Sequence, residues 1–450
     1  MSKLFGTDST RGIAVAGISC ELAMQAGRAA AAVFSSGKDK KSKIIVAKDK
    51  SNSSDMLEAA ICAGICSAGA DAEELGVIPA SAAALLVKEH NADAGIMISA
   101  AYGSARESGI RIFNAEGLRP GTAEESFTEK LAPGNTDAPE LKYNEKSGAI
   151  LRCENAAEEY AAILKELVSP ELSGMRIAVD CIGSCTEGIA ERLFSELGAE
   201  VLTVADQDCT SDIDAIATRF ERLMDHVIEN QCTCGFAFDN DGTGCIAVDE
   251  NGKPVSGDSL LAIFALDFRK KGILRHNSVA APLTSGMGLM SYLAEHEIGL
   301  VTTGASDRYA AYRMREGGYN LGGEKSGHIL FSDFTPLEDG LFTALKLLEI
   351  MKSSGKSLSE LSNGINTLPQ VVLNVRIAQR KREIWKNDRE ITGLIEQMSE
   401  ALGDKGRIIV CENSSESPSI RVIAEGNDFG QINNIAMTIA QTIKKRCGKR

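Results

Sequence analysis

The chain has 450 residues, 44% of them apolar and 5% aromatic, with 43 glycines and a net charge of −14. This is the ordinary composition of a soluble α/β protein, long enough for three or four domains at about 150 residues each. The acidic balance argues against nucleic acid or an anionic membrane surface as partner, although a local Arg/Lys pocket can still hold a small anion, and no apolar run approaches the ~20 residues of a membrane span.

Met1-Ser2-Lys3-Leu4 leads directly into a Gly/Thr/Asp turn, Phe5 to Gly12, so no signal peptide is expected and the chain reads as cytoplasmic. The first strong strand is Ala94–Ile98. It breaks into small and polar residues and resumes as Gly109-Ile110-Arg111-Ile112-Phe113, whose apolar residues alternate. A loop at the carboxyl end of a parallel strand is where open α/β sheets place ligands. The polar segment Asp137–Gly148, with Pro139, reads as a link, and a helix is expected over Ala156–Leu167. Ile177–Cys181 is a second strand, followed by Ile182-Gly183-Ser184-Cys185 and a helix near Thr186–Leu197. Gly235–Phe238 is a third, followed by Asp239-Asn240-Asp241-Gly242. Such alternation of strands and helices implies parallel sheets. Asn251-Gly252 marks a turn. Past Pro369 the pattern changes to strands at Val371–Ile377, Arg407–Cys411 and Ser419–Ala424, with helices at Ile391–Leu402 and Ile432–Lys445, a small α+β unit. The twelve cysteines are scattered. Cys62 and Cys66 share a helix face. A zinc reading of Cys232, Cys234 and Cys245 matches no standard ligand spacing, so reduced, partly buried thiols are expected.

Five stretches resemble the α-D-phosphohexomutases in collinear order. Phe5-Gly6-Thr7-Asp8-Ser9-Thr10-Arg11-Gly12 resembles F-G-T-D-G-x-R-G, in which the resemblance makes Arg11 face the active-site phosphoserine. Ile98-Ser99-Ala100-Ala101-Tyr102-Gly103-Ser104 aligns without a gap on the phosphoserine loop I-S-A-S-H-N-P, and Gly109–Phe113, with Arg111, on G-I-K-x-F. The nucleophile position then falls on Ala101, whose methyl group cannot carry a phosphoryl group. Ser99 and Ser104 are the neighbouring hydroxyls that could substitute, although a misplacement of about 1 Å costs on the order of a hundredfold. Asp239-Asn240-Asp241-Gly242-Thr243-Gly244 aligns on the metal loop D-G-D-G-D-R. Asp239 and Asp241 remain as metal ligands, the third carboxylate is Thr243, and the Arg is Gly244. Mg²⁺ wants six oxygens in octahedral order, so a weakened site is expected.

Leu321–His328 matches the sugar loop G-G-E-x-S-G-H without loss, and the resemblance assigns Glu324, Ser326 and His328 to sugar binding. Ser306–Tyr309, Glu338–Leu345 and Leu368–Val375 resemble motifs of the phosphoglucosamine mutase branch. Glu412–Val422 aligns on the phosphate cradle R-P-S-G-T-E-P-x-x-R-V. Ser414 and Arg421 survive there as phosphate-binding residues, while Glu412 and Glu416 either repel a dianion or point outward. The resemblance implies three related α/β domains with mixed or parallel sheets and a carboxyl-terminal α+β domain around a central cleft, with boundaries at 1–150, 151–252, 253–367 and 368–450. The family reaction interconverts glucosamine 6-phosphate and glucosamine 1-phosphate through a phosphoserine and Mg²⁺. The expectation here is a divergent relative inactive in that reaction, binding a hexose or hexosamine phosphate or serving as a regulatory or scaffolding partner, as a homo-oligomer or beside an active relative. The alternative is a working phosphohexomutase using Ser99 or Ser104.

Overall fold

A computed structural model describes residues 10–13, 18–34, 41–99, 107–119, 142, 146–168, 170–204, 213–304, 307–378, 381, 384–413 and 419–448. Ala101, Ser104, Glu416 and Ser414 lie outside the described residues, as do Phe5–Ser9 of the amino-terminal turn. Arg11 lies on a described strand, but its side chain is outside the description.

The chain divides into two compact units, residues 1–260 with 326–362 and residues 261–325 with 363–450. In the first unit, strands β1 (Thr10–Ile13), β2 (Lys43–Lys48), β3 (Asp71–Val77), β4 (Ala94–Ser99), β5 (Glu107–Asn114) and β6 (Ile150–Arg152) form one sheet in the order β1-β5-β4-β2-β3-β6. Strands β2, β3, β4 and β6 run parallel. The sheet is mixed, within the mixed or parallel sheets expected, because β5 returns antiparallel to β4 with Ser99 opposite Gly109 and Ile98 opposite Ile110. The segment between β4 and β5 is too short for the helical crossover that a parallel neighbour requires. All six residues of β4 are buried, which is why it reads as a continuous apolar run rather than an alternating one.

Helices Cys20–Phe34 and Ser54–Ser67 pack beside this sheet with their backbones in close approach. A Cβ on Gly27 would lie 2.4 Å from Ile61 O, and one on Gly64 would lie 2.1 Å from Met24 O. Only glycine fits at that crossing. The second sheet is built from β7 (Arg176–Asp180), β8 (Glu200–Thr203), β9 (Cys234–Phe238), β10 (Cys245–Val248) and β11 (Pro254–Val255), ordered β11-β10-β9-β7-β8. Strand β7 is parallel to β8 and β9, and β9 is antiparallel to β10. Its helix at Ala156–Leu167 coincides with the expected span, and the next runs Ile189–Glu196.

In the second unit, β12 (Ser278–Pro282) lies parallel to both β13 (Gly299–Thr303) and β14 (Leu321–Gly323). After β15 (Ile329–Phe331) of the first unit, the last sheet is antiparallel, with β18 (Ser419–Gly426) between β16 (Gln370–Arg376) and β17 (Gly406–Asn413). Helices Arg389–Leu402 and Phe429–Cys447 cover it, each with an aspartate, Asp388 or Asp428, accepting from its first-turn N–H groups. Among the described residues no helix is long and apolar enough to cross a membrane.

Candidate active site

The loop Asp239–Gly244 joins β9 to β10, and several elements of the first unit pin its backbone. Ser184 Oγ, in the loop after β7, donates to Asp239 O at 2.6 Å, and Cys185 N donates to Asn240 O at 3.0 Å. Ala80 N, at the start of helix Ala80–Glu89, donates to Asp241 O at 2.9 Å, and Gly340 N, at the start of helix Gly340–Ser354, donates to Gly242 O at 2.9 Å. The turn itself needs φ of +72° at Gly242, a conformation glycine takes without strain.

The side chains of this loop have partners within the protein. Asp241 is fully buried, and its Oδ2 lies 2.9 Å from Arg111 Nη2, Arg111 itself being 2% exposed. Ser99 Oγ, at the end of β4, reaches the same oxygen at a long 3.5 Å. The other oxygen, Asp241 Oδ1, accepts from Thr243 Oγ1 at 2.8 Å. That hydroxyl also lies 3.3 Å from Asp239 Oδ2, but it has one proton, which the shorter contact holds. Asp239 Oδ1 accepts from Gly244 N at 2.9 Å, and Asp239 Oδ2 lies 3.1 Å from His328 Nε2. The His328 ring is held at its other end by Ser326 Oγ, 3.0 Å from Nδ1.

Two carboxylates this close titrate apart. Burial, and then the charge of Asp239, hold the Asp241 carboxyl above its ordinary value in spite of Arg111. Burial also pushes Asp239 upward, but the His328 ring and the Gly244 N–H outweigh it and leave Asp239 below its ordinary value. Asp239 is therefore the more acidic member of the pair. Gly244 has a steric role as well, because a Cβ there would sit 2.9 Å from His328 Cε1 and 3.2 Å from Asp239 Oδ2. Gly244→Ala should displace the ring and cost about 1–3 kcal/mol of stability, as overpacking does. Chemical unfolding measures the cost and NMR of the His328 ring reports the displacement. An unmoved ring resonance would refute the assignment.

Of the residues expected to act, Ser99, Arg111, Asp239 and Asp241 converge within the first unit. His328 also reaches Asp239, with Ser326 on the far side of its ring, although sugar binding was the role assigned to them. Glu324 lies in the second unit, half-buried. The second unit also holds Arg421, whose Nε donates to the cross-strand Asn374 Oδ1 at 3.1 Å. Glu412 neither points freely outward nor stands as a bare charge, because it pairs with Lys386 Nζ at 2.8 Å. Sequence reasoning missed three pairings: Arg111 with Asp241, Thr243 with Asp241, and His328 with Asp239. The signal for the first was present, since an arginine inside a buried strand requires a carboxylate partner. Cys232, Cys234 and Cys245 are buried free thiols and form no metal-ligating group among the described residues.

Four sheets of these topologies, with a loop of paired aspartates after β9, define a phosphohexomutase-type α/β protein. The chain matches the phosphoglucomutase/phosphomannomutase profiles for alpha/beta/alpha domain I over residues 2–136 and for domain III over residues 256–368. It belongs to the phosphoglucomutase/phosphomannomutase family. It is similar to the phosphoglucosamine mutase of Caldanaerobacter subterraneus subsp. tengcongensis, 39% identical over 451 residues covering 99% of this chain and 100% of the relative. In fold it is similar to a phosphoglucomutase/phosphomannomutase family protein from Burkholderia thailandensis, with a TM-score of 0.81 at 19% identity over 99% of this chain and 98% of that one. It is also similar to Aspergillus fumigatus N-acetylphosphoglucosamine mutase in complex with GlcNAc-6P and magnesium, with a TM-score of 0.60 at 14% identity over 81% of this chain and 92% of that one.

Proposed function

We propose that this chain binds a hexosamine phosphate and does not interconvert its isomers through an enzyme-bound phosphoryl group. The observation that carries this reading is the closed state of Asp241, a fully buried carboxylate held by a guanidinium at 2.9 Å and a hydroxyl at 2.8 Å. Ala101 at the nucleophile position supports it independently, since phosphoryl transfer to the protein needs an acceptor oxygen in line with the substrate. Binding is supported by the intact sugar loop, by relatives named phosphoglucosamine mutase, and by a structural neighbour in complex with GlcNAc-6P and magnesium.

The donor set fits Mg²⁺ poorly. Mg²⁺ demands near-octahedral oxygen coordination, whereas the oxygens of Asp239 and Asp241 already face Arg111, His328, Thr243 and the Gly244 N–H. A cation seated there would have to displace a buried positive charge from Asp241.

Incubation with glucose 1,6-bisphosphate and Mg²⁺, followed by intact mass, tests the reading. The mass should stay unchanged, and calorimetry with glucosamine 6-phosphate should give heat that chelation of Mg²⁺ does not alter. A stable gain of one phosphoryl group overturns the non-catalytic reading. Absence of heat with every hexosamine phosphate overturns the binding and leaves a scaffold role beside an active relative. One contact favours a second reading, a working mutase whose nucleophile is Ser99, because the hydroxyl faces a carboxylate oxygen at 3.5 Å. Ser99 is 4% exposed, so a sugar oxygen would need the strand end to open. Turnover abolished by Ser99→Ala and kept by Ser99→Thr would establish it.

A further inference from the structure

We propose a second cation site, remote from the loop Asp239–Gly244, in which His90 Nε2, Glu159 and the Cys153 thiolate bind one zinc ion with a water as fourth ligand. Among the described residues, His90, Cys153 and Glu159 are the group whose donor atoms all lie within 4.8 Å of one another. One nitrogen, one carboxylate oxygen and one sulfur form a set suited to a borderline-soft divalent ion and foreign to Mg²⁺.

The fold brings the three together from two parts of the first unit. His90 closes the carboxyl end of helix Ala80–Glu89. Cys153 follows β6, the edge strand parallel to β3, and its N–H continues the pairing by donating to Glu74 O at 2.9 Å. Glu159 sits in the first turn of helix Ala156–Leu167. His90 Nε2 lies 2.7 Å from Glu159 Oε2, and Cys153 Sγ lies 3.9 Å from Glu159 Oε1 and 3.5 Å from Asn155 Oδ1. In a tetrahedral site with bonds of about 2.0–2.3 Å, the ligand atoms stand roughly 3.5 Å apart. The Sγ contact, to the other carboxylate oxygen, is close to that already, the imidazole–carboxylate contact opens by less than 1 Å, and no two of the three donor atoms start more than 4.8 Å apart.

The remaining ring nitrogen gives the site its orientation. His90 Nδ1 lies 3.2 Å from Glu73 Oε1, and the other oxygen of Glu73 is held by Lys43 Nζ at 2.9 Å. With Glu73 accepting the Nδ1 proton, the proton shared by Nε2 and Glu159 is the one a metal replaces, and the freed Nε2 lone pair then faces Glu159 and Cys153, the outer arrangement common to zinc-bound histidines. The His90 and Glu73 side chains are each 14% exposed and Glu159 is 34% exposed, so the pocket is half-shielded with an open side for water and metal entry. Burial, together with Glu159 and Glu73, keeps the thiol protonated without metal. Binding therefore expels two protons to solvent, the thiol proton and the one shared by His90 Nε2 and Glu159, and the thiolate and the Glu159 carboxylate together balance the dication.

The test uses the full chain stripped with a chelator and titrated with Zn²⁺ against a chromophoric competitor, and with Co²⁺ followed by absorption. One tight equivalent is expected, with a thiolate-to-cobalt charge-transfer band and the visible bands of a tetrahedral ion. Cys153→Ser should abolish the charge-transfer band, and Glu73→Gln, which touches no metal, should weaken Zn²⁺ binding about 10–100-fold. Zn²⁺ should also slow alkylation of Cys153 selectively among the twelve cysteines, read by peptide mass. A Cys153→Ser variant that binds Zn²⁺ as tightly as the parent, or protection that falls on other cysteines, overturns the proposal. Because Glu73→Gln and the alkylation pattern are read on folded protein, a folding defect in one variant leaves the others decisive.

Discussion

Replacing Arg111 with Met should remove about 3–5 kcal/mol of stability from the first unit, because it leaves the fully buried Asp241 carboxylate without its cation. The residual partners are neutral: Thr243 Oγ1 at 2.8 Å and Ser99 Oγ at 3.5 Å. Asp241 already sits above its ordinary pKa through burial and the nearby Asp239, so without Arg111 it should take up a proton more readily and the loss should shrink as pH falls. The double variant Arg111→Met/Asp241→Asn should recover most of the stability, since removing both charges of a buried pair is far cheaper than removing one. Far-UV circular dichroism or hydrogen exchange in peptides of the first unit is the appropriate probe, because the single tryptophan, Trp385, lies in the other unit. The same variant tests the metal argument. With the guanidinium gone, Mg²⁺ should stabilise Arg111→Met and leave the parent unchanged, by the mass action of a ligand that binds only the folded form. Equal stability of parent and Arg111→Met would sink the claim that this ion pair closes the site.

Which parts of this were legible in the sequence follows from the range of each interaction. The strands at Ala94–Ser99, Arg176–Asp180 and Cys234–Phe238, and the helix Ala156–Leu167, declare themselves through local apolar pattern and flanking polar residues. The return of β5 against β4 does not, because periodicity fixes which residues face the core and is silent on strand direction. The aspartates of the loop after β9 were legible as a pair, but Thr243 was read as a lost carboxylate without the donation its hydroxyl makes to Asp241. His328 was assigned to a sugar from its loop. Its contact with Asp239 joins residues 89 apart, and no local pattern encodes it. Glu412 was weighed as a repulsive charge in a phosphate cradle, and Lys386, which neutralises it, enters from before the preceding helix Arg389–Leu402. In each case the residue type was read correctly and its partner was not, because the partner is set by tertiary packing.

The second large effect is expected from pH and centres on Asp339. This residue is wholly buried at the start of helix Gly340–Ser354, where Oδ1 accepts from Phe342 N at 2.9 Å and both carboxyl oxygens lie 2.8 Å from Tyr160 Oη. Tyr160, itself fully buried, has one proton for two oxygens, so the arrangement is best satisfied when Asp339 carries a proton of its own. Burial pushes the Asp339 carboxyl from 3.8 to about 6 against the pull of the Phe342 N–H and the Tyr160 hydroxyl. A folded-state pKa above the unfolded one means that the native chain holds a proton the unfolded chain has released. Its contribution is complete below pH 4 and is lost as pH rises through 6, with a total on the order of 3 kcal/mol. Asp339→Asn keeps an N-cap of equal quality and cannot titrate. The difference in unfolding free energy between variant and parent should therefore move by about 3 kcal/mol in favour of the variant between pH 4 and pH 7. Because Gly340 N holds Gly242 O at 2.9 Å, the variant should also slow hydrogen exchange across Asp239–Gly244 at neutral pH, where the parent carries the buried charge. Parallel stability curves for the two proteins across that range would show that Asp339 is ionised in the native state throughout, and the loop would then owe nothing to its protonation.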